Sequence, residues 1–392
     1  MPNLAELDAI LKNQYIGPLN EQLNNDIKLF KRVMGDNDCT VTGKNFTLPL
    51  HVSRNEGIGA RPEGADLPKA GAQGYKDAIV PMRYLYGVIS ITGPAIKATK
   101  TDKGAFIRAV DSEMRGVTRD LKADINRQLF GDGTGKLAAA TANSSSSATV
   151  TVDSVKNLRV GMHIDIFAGN TASVTDAVIT KVDTANKTIT HDKAAVIPAS
   201  SFVYRHGTKD IEIMGLKGII ADTDPYTSGL QNLKVADNSW WKAIVLGNGG
   251  TKRALSLPLM RTVIDEVEIA GAGEITAIYT AHGVRRAYEA LLQAERQYVN
   301  TMKLDGGIET LAFDKLPIIA DKDCDANRMY FVDEDMLTVL NLGDGNFEWM
   351  QEDGSILHRN GKDGYDATLF RYCELATRAR NAHALLADIT EA

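Results

Sequence analysis

The most regular apolar pattern in the chain spans residues 102–130, where hydrophobic side chains recur at the spacing of an α-helix. The apolar positions of this pattern are Ile107, Val110, Met114, Val117, Leu121, Ile125 and Leu129. Asp102 is a suitable N-cap, and the glycine-rich run 131–135 ends the pattern. At about 1.5 Å per residue, this helix would be about 40 Å long. Such a length is typical of an extended domain rather than a compact enzyme domain.

Residues 44–92 carry the alternating pattern of two β-strands joined by a long loop. The alternating apolar positions are Phe46, Leu48, Leu50 and Val52 on the way out, and Val80, Met82, Tyr84 and Tyr86 on the return. Pro49 and Pro81 cannot donate a backbone hydrogen bond, so neither strand is expected to be paired along both edges. Between the strands, residues 53–75 are rich in glycine, proline and mixed charge. A segment with so little core of its own is expected to need a partner surface.

Residues 1–40 contain two short amphipathic stripes separated by Gly17-Pro18. The first stripe is Leu4, Leu7 and Leu11, and the second is Leu19, Leu23, Ile27, Phe30 and Met34. The pattern predicts two short helices. They could dock on their own domain or form an arm that docks on a neighbouring molecule, and the sequence leaves both alternatives open.

The pattern changes after the long helix. Residues 138–147 have the composition of a low-complexity linker, and residues 148–206 alternate as short strands, which predicts a small all-β module inserted into another domain. Beyond residue 209, helices and strands are mixed. Helices are predicted over 254–269 and 282–301, and strands over 275–280, 316–320, 329–333, 337–341 and, as one or two long strands, 366–389. This order predicts an α+β fold rather than a doubly wound parallel sheet.

Charge and composition narrow the class of protein. The 392 residues include 44 Lys and Arg against 50 Asp and Glu, a net charge of −6, which argues against strong binding to nucleic-acid phosphates. No apolar stretch is long enough to span a membrane, and the N-terminus lacks the features of a secretory signal. The chain has three widely spaced cysteines, Cys39, Cys324 and Cys373. We therefore expect neither a disulfide framework nor a zinc site, and we expect the protein to assemble in a reducing cytoplasm.

The candidate catalytic and ligand-binding motifs do not match their patterns. The run 131–136 lacks the first glycine and the hydroxyl residue of a phosphate-binding loop, and 247–250 lacks the strand–helix context of a dinucleotide site. Asp321, Asp323 and Asp325 resemble part of a calcium loop, but Ala326 and Val332 occupy its glycine and glutamate positions, which favours a solvated acidic turn. The seven histidines form no local cluster. We therefore predict no catalytic, cofactor-binding or metal-binding residues.

Four segments, in this order, resemble the major capsid protein of tailed bacteriophages, whose fold also forms the floor of the herpesvirus capsid. The run 48–64, followed by Leu67-Pro68, resembles the extended loop of that family, and 120–135 resembles the end of its spine helix. The run 212–219 is similar to the start of the axial domain, and 380–382 is similar to the closing strand. The resemblance covers nearly the whole chain.

The resemblance implies an α+β capsid fold with peripheral and axial domains. Its implied segments are an N-terminal arm over 1–43, an extended hairpin loop over 44–85, a peripheral domain with the spine helix over 86–137 and 336–375, an inserted β module over 138–208, an axial domain over 209–335, and an axial closing strand over 376–392. Insertions in this family usually lie on the outer surface. A fused internal scaffold is expected to be absent.

The resemblance also implies a function. The expected role is that of a major capsid protein, not an enzyme, which self-assembles as hexamers and pentamers into an icosahedral shell around packaged double-stranded DNA. Expected partners are other copies of the chain and scaffolding and portal proteins. The role of the β module stays open between strengthening contacts, docking a decoration protein and binding a host surface. The expected location is the virion capsid, after assembly in the host cytoplasm. The alternatives are an encapsulin-type compartment shell and, from a different class, a hydrolase with a β accessory domain.

The predicted intersubunit contacts lie in the extended loop, and they are Arg54, Glu56, Arg61, Glu63 and Lys69. Mixed charges at a loop tip are expected to set the register between neighbouring subunits more than the affinity. Some relatives crosslink a loop lysine to an asparagine of a neighbour. Lys69 and Lys76 lie in the loop and Asn360 is a candidate acceptor, but no motif supports this chemistry, so we expect no crosslink.

Overall fold

A computed structural model of the chain describes residues 28–33, 40–42, 45–94, 103–271, 273–294, 301–303, 309–343, 346–351, 358–359 and 363–392. The chain divides into two compact units, of which one is Gly131–Gly218 and the other contains the residues before and after it. The first predicted helix and the part of the second before residue 28 lie outside the described residues.

The helices in chain order are α1 (Lys28–Arg32), α2 (Lys103–Leu129), α3 (Leu216–Ile219), α4 (Leu257–Ala270) and α5 (His282–Ala294), with 3₁₀ turns at Glu334–Met336 and Arg380–Ala382. The strands are β1 (Thr40–Thr42), β2 (Asn45–Ser53), β3 (Gly74–Pro81), β4 (Arg83–Thr92), β5 (Lys136–Ala139), β6 (Ser144–Thr151), β7 (His163–Ala168), β8 (Thr171–Asp183), β9 (Thr188–Ile197), β10 (Phe202–Arg205), β11 (Ile244–Leu246), β12 (Ala277–Thr280), β13 (Thr301–Lys303), β14 (Glu309–Phe313), β15 (Leu316–Ala320), β16 (Met329–Val332), β17 (Leu337–Asn341), β18 (Glu348–Trp349), β19 (His358–Arg359), β20 (Gly364–Thr377) and β21 (Ala384–Leu386).

Strands β1, β2 and β3 form an antiparallel sheet that includes the predicted hairpin. Phe46 lies opposite Val80, and both side chains are buried. Pro49 lies beyond the part of β2 that pairs with β1, so it is paired on one side only, as expected. The alternating residues 80–86, which predicted a single return strand, belong to two strands. Pro81 ends β3, and β4 joins another sheet. Proline lacks the N–H that would continue the ladder.

A second sheet is built around the long strand β20. Strand β4 pairs along one edge of β20, while β17, β18 and β19 pair along the other. Helix α2, which matches the predicted helix, packs on one face of this sheet. Its side chains Leu121 and Ile125 are buried, and it approaches β4 at Gly87, where an added Cβ would lie 2.8 Å from Val117 Cγ2.

The third sheet has seven strands in the order β11-β21-β16-β12-β15-β14-β13. Strands β12 and β15, and β11 and β21, are parallel, whereas the other neighbours are antiparallel. Helices α4 and α5 contribute Val263 and Tyr288 to the core that this sheet builds. The mixed sheet confirms the α+β fold class. The helix predicted over 282–301 is too long, because α5 is His282–Ala294 and Thr301 begins β13.

Arg380 is completely buried in the unit that contains the chain ends. Its guanidinium donates to the carbonyl oxygens of Ile219 (2.8 Å), Ala221 (2.8 Å) and Thr223 (2.7 Å). It also contacts Asp224 Oδ1 at 3.3 Å. Residues 380–382, which resemble a closing strand in sequence, form a 3₁₀ turn that places this guanidinium, and the closing strand β21 follows them.

The unit Gly131–Gly218 contains one six-stranded sheet in the order β5-β10-β7-β8-β9-β6. An antiparallel bridge between Ala140 and Val152 brings its two edge strands together around an apolar core. The linker predicted over 138–147 is wrong, since this stretch includes parts of β5 and β6. Ala138 and Ala140 are buried in the small interior, so a low-complexity composition here supplies core residues.

Candidate functional site

The five charged residues predicted as intersubunit contacts lie on the exposed loop 54–73, which joins β2 to β3. Arg54 and Glu56 are on its outgoing limb, Arg61 and Glu63 are near its tip, and Lys69 is on its return limb. All five side chains are exposed, and none forms an ion pair with a residue that the structure describes. Arg61 Nη1 donates to the adjacent Ala60 carbonyl at 3.1 Å. Within the described part of the chain, these five charges therefore face solvent.

The two limbs of the loop approach each other at two glycines. A Cβ added at Gly57 would lie 2.8 Å from the Gly71 nitrogen and 2.9 Å from the Lys69 carbonyl oxygen, so only glycine permits this approach. Asn55 Oδ1 accepts a hydrogen bond from the Gly57 nitrogen at 2.7 Å. These contacts give the loop a defined path although it lacks an apolar core.

The loop also exposes apolar side chains. Ile58 is 78% exposed and Leu67 is 84% exposed, which are high values for large aliphatic residues. At the base of the loop, Tyr75 is exposed and lies 5.3 Å from the His51 ring, while His51 Nε2 is 2.6 Å from Gln73 Oε1. Burying such residues against a second molecule would remove apolar area from water.

A second exposed apolar surface lies on the β4–β20 sheet. Tyr84, Tyr86 and Val88 alternate with buried Leu85 and Ile89, so they project from the face opposite α2. Tyr372 of β20 contacts Tyr84 edge-on, with ring centroids 5.3 Å apart. We call Tyr84, Tyr86, Val88, Phe370 and Tyr372 the aromatic face.

The glycine-rich run 131–135 follows the end of α2, and it contains a carboxylate, Asp132, that is hydrogen-bonded within the run. Gly133 and Gly135 have φ of 76° and 78°, which favours glycine. Although burial opposes ionisation, hydrogen bonds from Thr134 and the charge of Lys217 hold the pKa of Asp132 below its ordinary value. The run 247–250 likewise surrounds an internal anion, since the nitrogens of Asn248 and Gly250 donate to Asp388 Oδ2 at 2.7 and 3.0 Å.

The Asp321 and Asp323 side chains of the acidic turn at 321–325 are buried, contrary to the sequence prediction of a solvated turn. Asp321 is 1% exposed, and Asn126 Nδ2 of α2 lies 3.3 Å from both of its carboxylate oxygens and 2.8 Å from Asp323 Oδ2. Burial raises the pKa of Asp321, and the nearby charge of Asp323 adds to that effect. The sequence identified the three aspartates, but it did not predict that α2 packs over two of them through Asn126.

Two histidine–aspartate pairs were missed from the sequence. His163 contacts Asp176, and His206 contacts Asp165, within the unit Gly131–Gly218. Strand pairing, not local spacing, brings these residues together. The described residues contain no group of three or more side chains placed to hold a metal ion.

The described cysteines have no nucleophilic setting. Cys324 and Cys373 are buried and form no disulfide, and Cys39 lies outside the residues whose side chains are described. Burial raises the pKa of the Cys373 thiol to about 12, so it is protonated at neutral pH. No helix in the described part of the chain is long and apolar enough to cross a membrane.

Comparison with known proteins identifies the fold. No protein-family model and no curated protein sequence matches the chain. Among solved structures, a chain of the cyanophage A-1(L) capsid matches with a TM-score of 0.63 and 14% identity, over 97% of both chains. The capsid of a native GTA particle matches at 0.51 and 10% identity, over 100% of this chain and 99% of the other. The holo-SrpI encapsulin complex of Synechococcus elongatus PCC 7942 matches at 0.50 and 10% identity, over 100% and 96%. The chain therefore has the α+β fold of phage capsid proteins, in agreement with the sequence resemblance.

Proposed function

We propose that the chain is the major capsid protein of a tailed-phage head and has a structural rather than a catalytic role. In this proposal it self-assembles as hexamers and pentamers into an icosahedral shell around packaged double-stranded DNA. The observation that carries the proposal is the match to a cyanophage capsid chain over 97% of both molecules. A match of this extent covers almost the whole of each chain.

The exposed surfaces support self-association. The loop 54–73 and the aromatic face are separate surfaces of one unit, and each exposes large apolar side chains. Contact between two different surfaces of identical subunits is heterologous, and such contacts close into rings when the rotation between subunits permits. Hexamers and pentamers are rings of this kind. Mixed charges on the loop would align neighbouring subunits.

The proposed division of the chain follows the capsid fold. Residues 1–43 form the arm, α2 is the spine helix of the peripheral domain (86–137 and 336–375), and residues 209–335 with 376–392 form the axial domain. The β module 138–208 lies on the outer surface of the shell, and its alternative roles are to strengthen contacts, to bind a decoration protein or to bind a host surface. Scaffolding and portal proteins are the remaining partners, and assembly takes place in the host cytoplasm before the protein resides in the virion.

The proposal predicts little affinity for DNA. The net charge of −6 disfavours the phosphate contacts that dominate non-specific binding. A container whose genome is driven in by a motor does not need to bind phosphates tightly. Nanomolar binding to duplex DNA at physiological salt, measured by gel shift, would contradict this part of the proposal.

The decisive experiment combines size-exclusion chromatography with negative-stain electron microscopy of the full chain. Closed polyhedral particles are expected for the wild type, and folded subunits without closed particles are expected when 54–73 is replaced by a short Gly-Ser turn. A control replaces the β8–β9 turn residues 184–186 by Gly-Ser, and it should still form particles. A wild type that remains a 42.5 kDa monomer on concentration would overturn the proposal.

The match to an encapsulin supports one alternative, a shell that encloses protein cargo. Both proposals predict closed particles, so imaging alone does not distinguish them. Particles purified from their natural source should contain DNA if the chain is a phage capsid protein. A specific enzyme cargo without DNA would favour the encapsulin alternative.

A further inference from the structure

His163 and His206 are neighbours on adjacent strands, although they are far apart in sequence. Strand β7 pairs with β10 in antiparallel register, and the His206 nitrogen, just beyond β10, donates to the His163 carbonyl oxygen at 2.9 Å. Directly opposed residues on antiparallel strands have Cβ atoms about 5 Å apart on the same face of the sheet. The two side chains therefore project from the same face of the sheet.

A carboxylate holds each imidazole through the same ring nitrogen. His163 Nδ1 lies 2.6 Å from Asp176 Oδ1, and His206 Nδ1 lies 2.8 Å from Asp165 Oδ1. Asp165 is itself held, because the Asp176 nitrogen donates to its Oδ1 at 2.8 Å and the Gly207 nitrogen to its Oδ2 at 2.9 Å. These bonds link the two pairs into one cluster.

This arrangement leaves the Nε2 atoms available. When Nδ1–H donates to a carboxylate, the neutral ring carries its lone pair on Nε2, and this is the tautomer that metal-binding histidines use. The His163 and His206 side chains are 59% and 50% exposed, and neither Nε2 has a hydrogen-bond partner among the residues of Gly131–Gly218. The nearby Lys193 ammonium donates to the Thr175 carbonyl at 2.8 Å rather than to either ring.

We propose that His163 and His206 bind one divalent transition-metal ion through their Nε2 atoms, with Asp176 and Asp165 orienting the two rings. Imidazole is a good ligand for Zn²⁺, Ni²⁺ and Cu²⁺ and a poor one for Mg²⁺ and Ca²⁺. Water completes the coordination of an ion held by two protein ligands, so the affinity is modest. The site is independent of the capsid proposal.

The test is isothermal titration calorimetry of the full, untagged chain with Zn²⁺ at pH 7.5. One saturable site per chain is expected. His163→Gln and His206→Gln should each weaken Zn²⁺ binding by at least tenfold, and the double variant should abolish it. His282→Gln, which removes an exposed histidine of α5, is the matched control and should bind as the wild type does. Asp165→Asn should weaken binding by about tenfold, because it removes an orienting partner.

Circular dichroism establishes that each variant is folded. Proton NMR provides a measurement that does not depend on variants, since Zn²⁺ should shift the ring resonances of His163 and His206 and not those of His282. Absence of saturable Zn²⁺ binding to the wild type would overturn the proposal. Zn²⁺ binding that survives in the folded double variant would also overturn it.

Discussion

Arg32 and Glu334 form a two-pronged ion pair, with Arg32 Nε and Nη2 each 2.7 Å from a different carboxylate oxygen. The Tyr279 hydroxyl also donates to this carboxylate. In the same segment, the Phe30 nitrogen donates to Asn126 Oδ1 at 3.3 Å, and Lys28 Nζ donates to the Ala320 carbonyl at 2.8 Å. Residues 28–33 therefore contact their own unit.

Loss of this ion pair should destabilise the subunit. Arg32→Ala leaves Glu334 without its charged partner, and we expect the free energy of unfolding to fall by about 1–2 kcal/mol, as for hydrogen bonds to charged groups. Urea unfolding of the full chain measures the effect. Lys31→Ala is the control, since Lys31 is adjacent and exposed. Equal stability of the two variants would show that the ion pair contributes nothing.

Two glycines near the contact between α2 and β4 should respond to alanine in opposite directions. At Gly87 a Cβ would lie 2.8 Å from Val117 Cγ2, so Gly87→Ala should force α2 away from β4 and lower stability by about 1–3 kcal/mol. At Gly116, within α2, an added Cβ would have nothing within 4 Å. Gly116→Ala should therefore raise stability by up to about 1 kcal/mol through its helix propensity. Thermal unfolding of both variants checks the signs, and a destabilised Gly116→Ala variant would contradict the packing described for α2.

The path of the loop should matter for assembly but not for subunit stability. Gly57→Ala places a Cβ against the backbone of the return limb and should separate the two limbs, which lowers the yield of closed particles. Gly59→Ala is a matched control in the same loop, because a Cβ added at Gly59 would have Arg61 Nη1 as its nearest neighbour, at 3.4 Å. Both variants should unfold like the wild type. Particle counts by negative-stain microscopy give the readout, and equal yields from the two variants would count against a role for the loop conformation.

The buried acid at the end of β15 should make stability depend on pH. Burial raises the pKa of Asp321 above its ordinary value of 3.8, so the folded state holds this proton more tightly than the unfolded state. Its contribution to stability is complete below the unfolded pKa and is lost as pH rises through the folded pKa. The side chain of the Asp321→Asn variant cannot ionise, so the variant does not lose stability in this way as pH rises. The stability of the variant relative to the wild type should therefore increase as pH rises from the ordinary pKa of an aspartate towards neutrality.

Urea unfolding at several pH values across this range measures the difference. Asp265→Asn, at an exposed position of α4, is the control and should follow the wild type throughout. A constant difference between Asp321→Asn and the wild type would show that the Asp321 carboxyl is not perturbed by its surroundings.

Local periodicity was sufficient for much of the fold. The long helix, the hairpin strands and the strand at 316–320 depend mainly on neighbouring residues, so their patterns are visible in the sequence. The linker prediction over 138–147 failed because composition alone does not show that small side chains fill a narrow interior. The exposed loop was predicted because a glycine-rich, mixed-charge tip has a recognisable composition, while the role of its charges stays a prediction.

The amino-acid sequence by itself determined the α+β class, the long helix and an exposed loop without a core. Only the tertiary structure decided which side chains meet. The contacts of Arg380 with residues 219–224, of Asn126 with Asp321, and of His163 with His206 join residues far apart in the chain. Such contacts depend on strand pairing and burial, for which a single sequence has no local signal, and it is burial that raises the pKa of an ordinary acid such as Asp321.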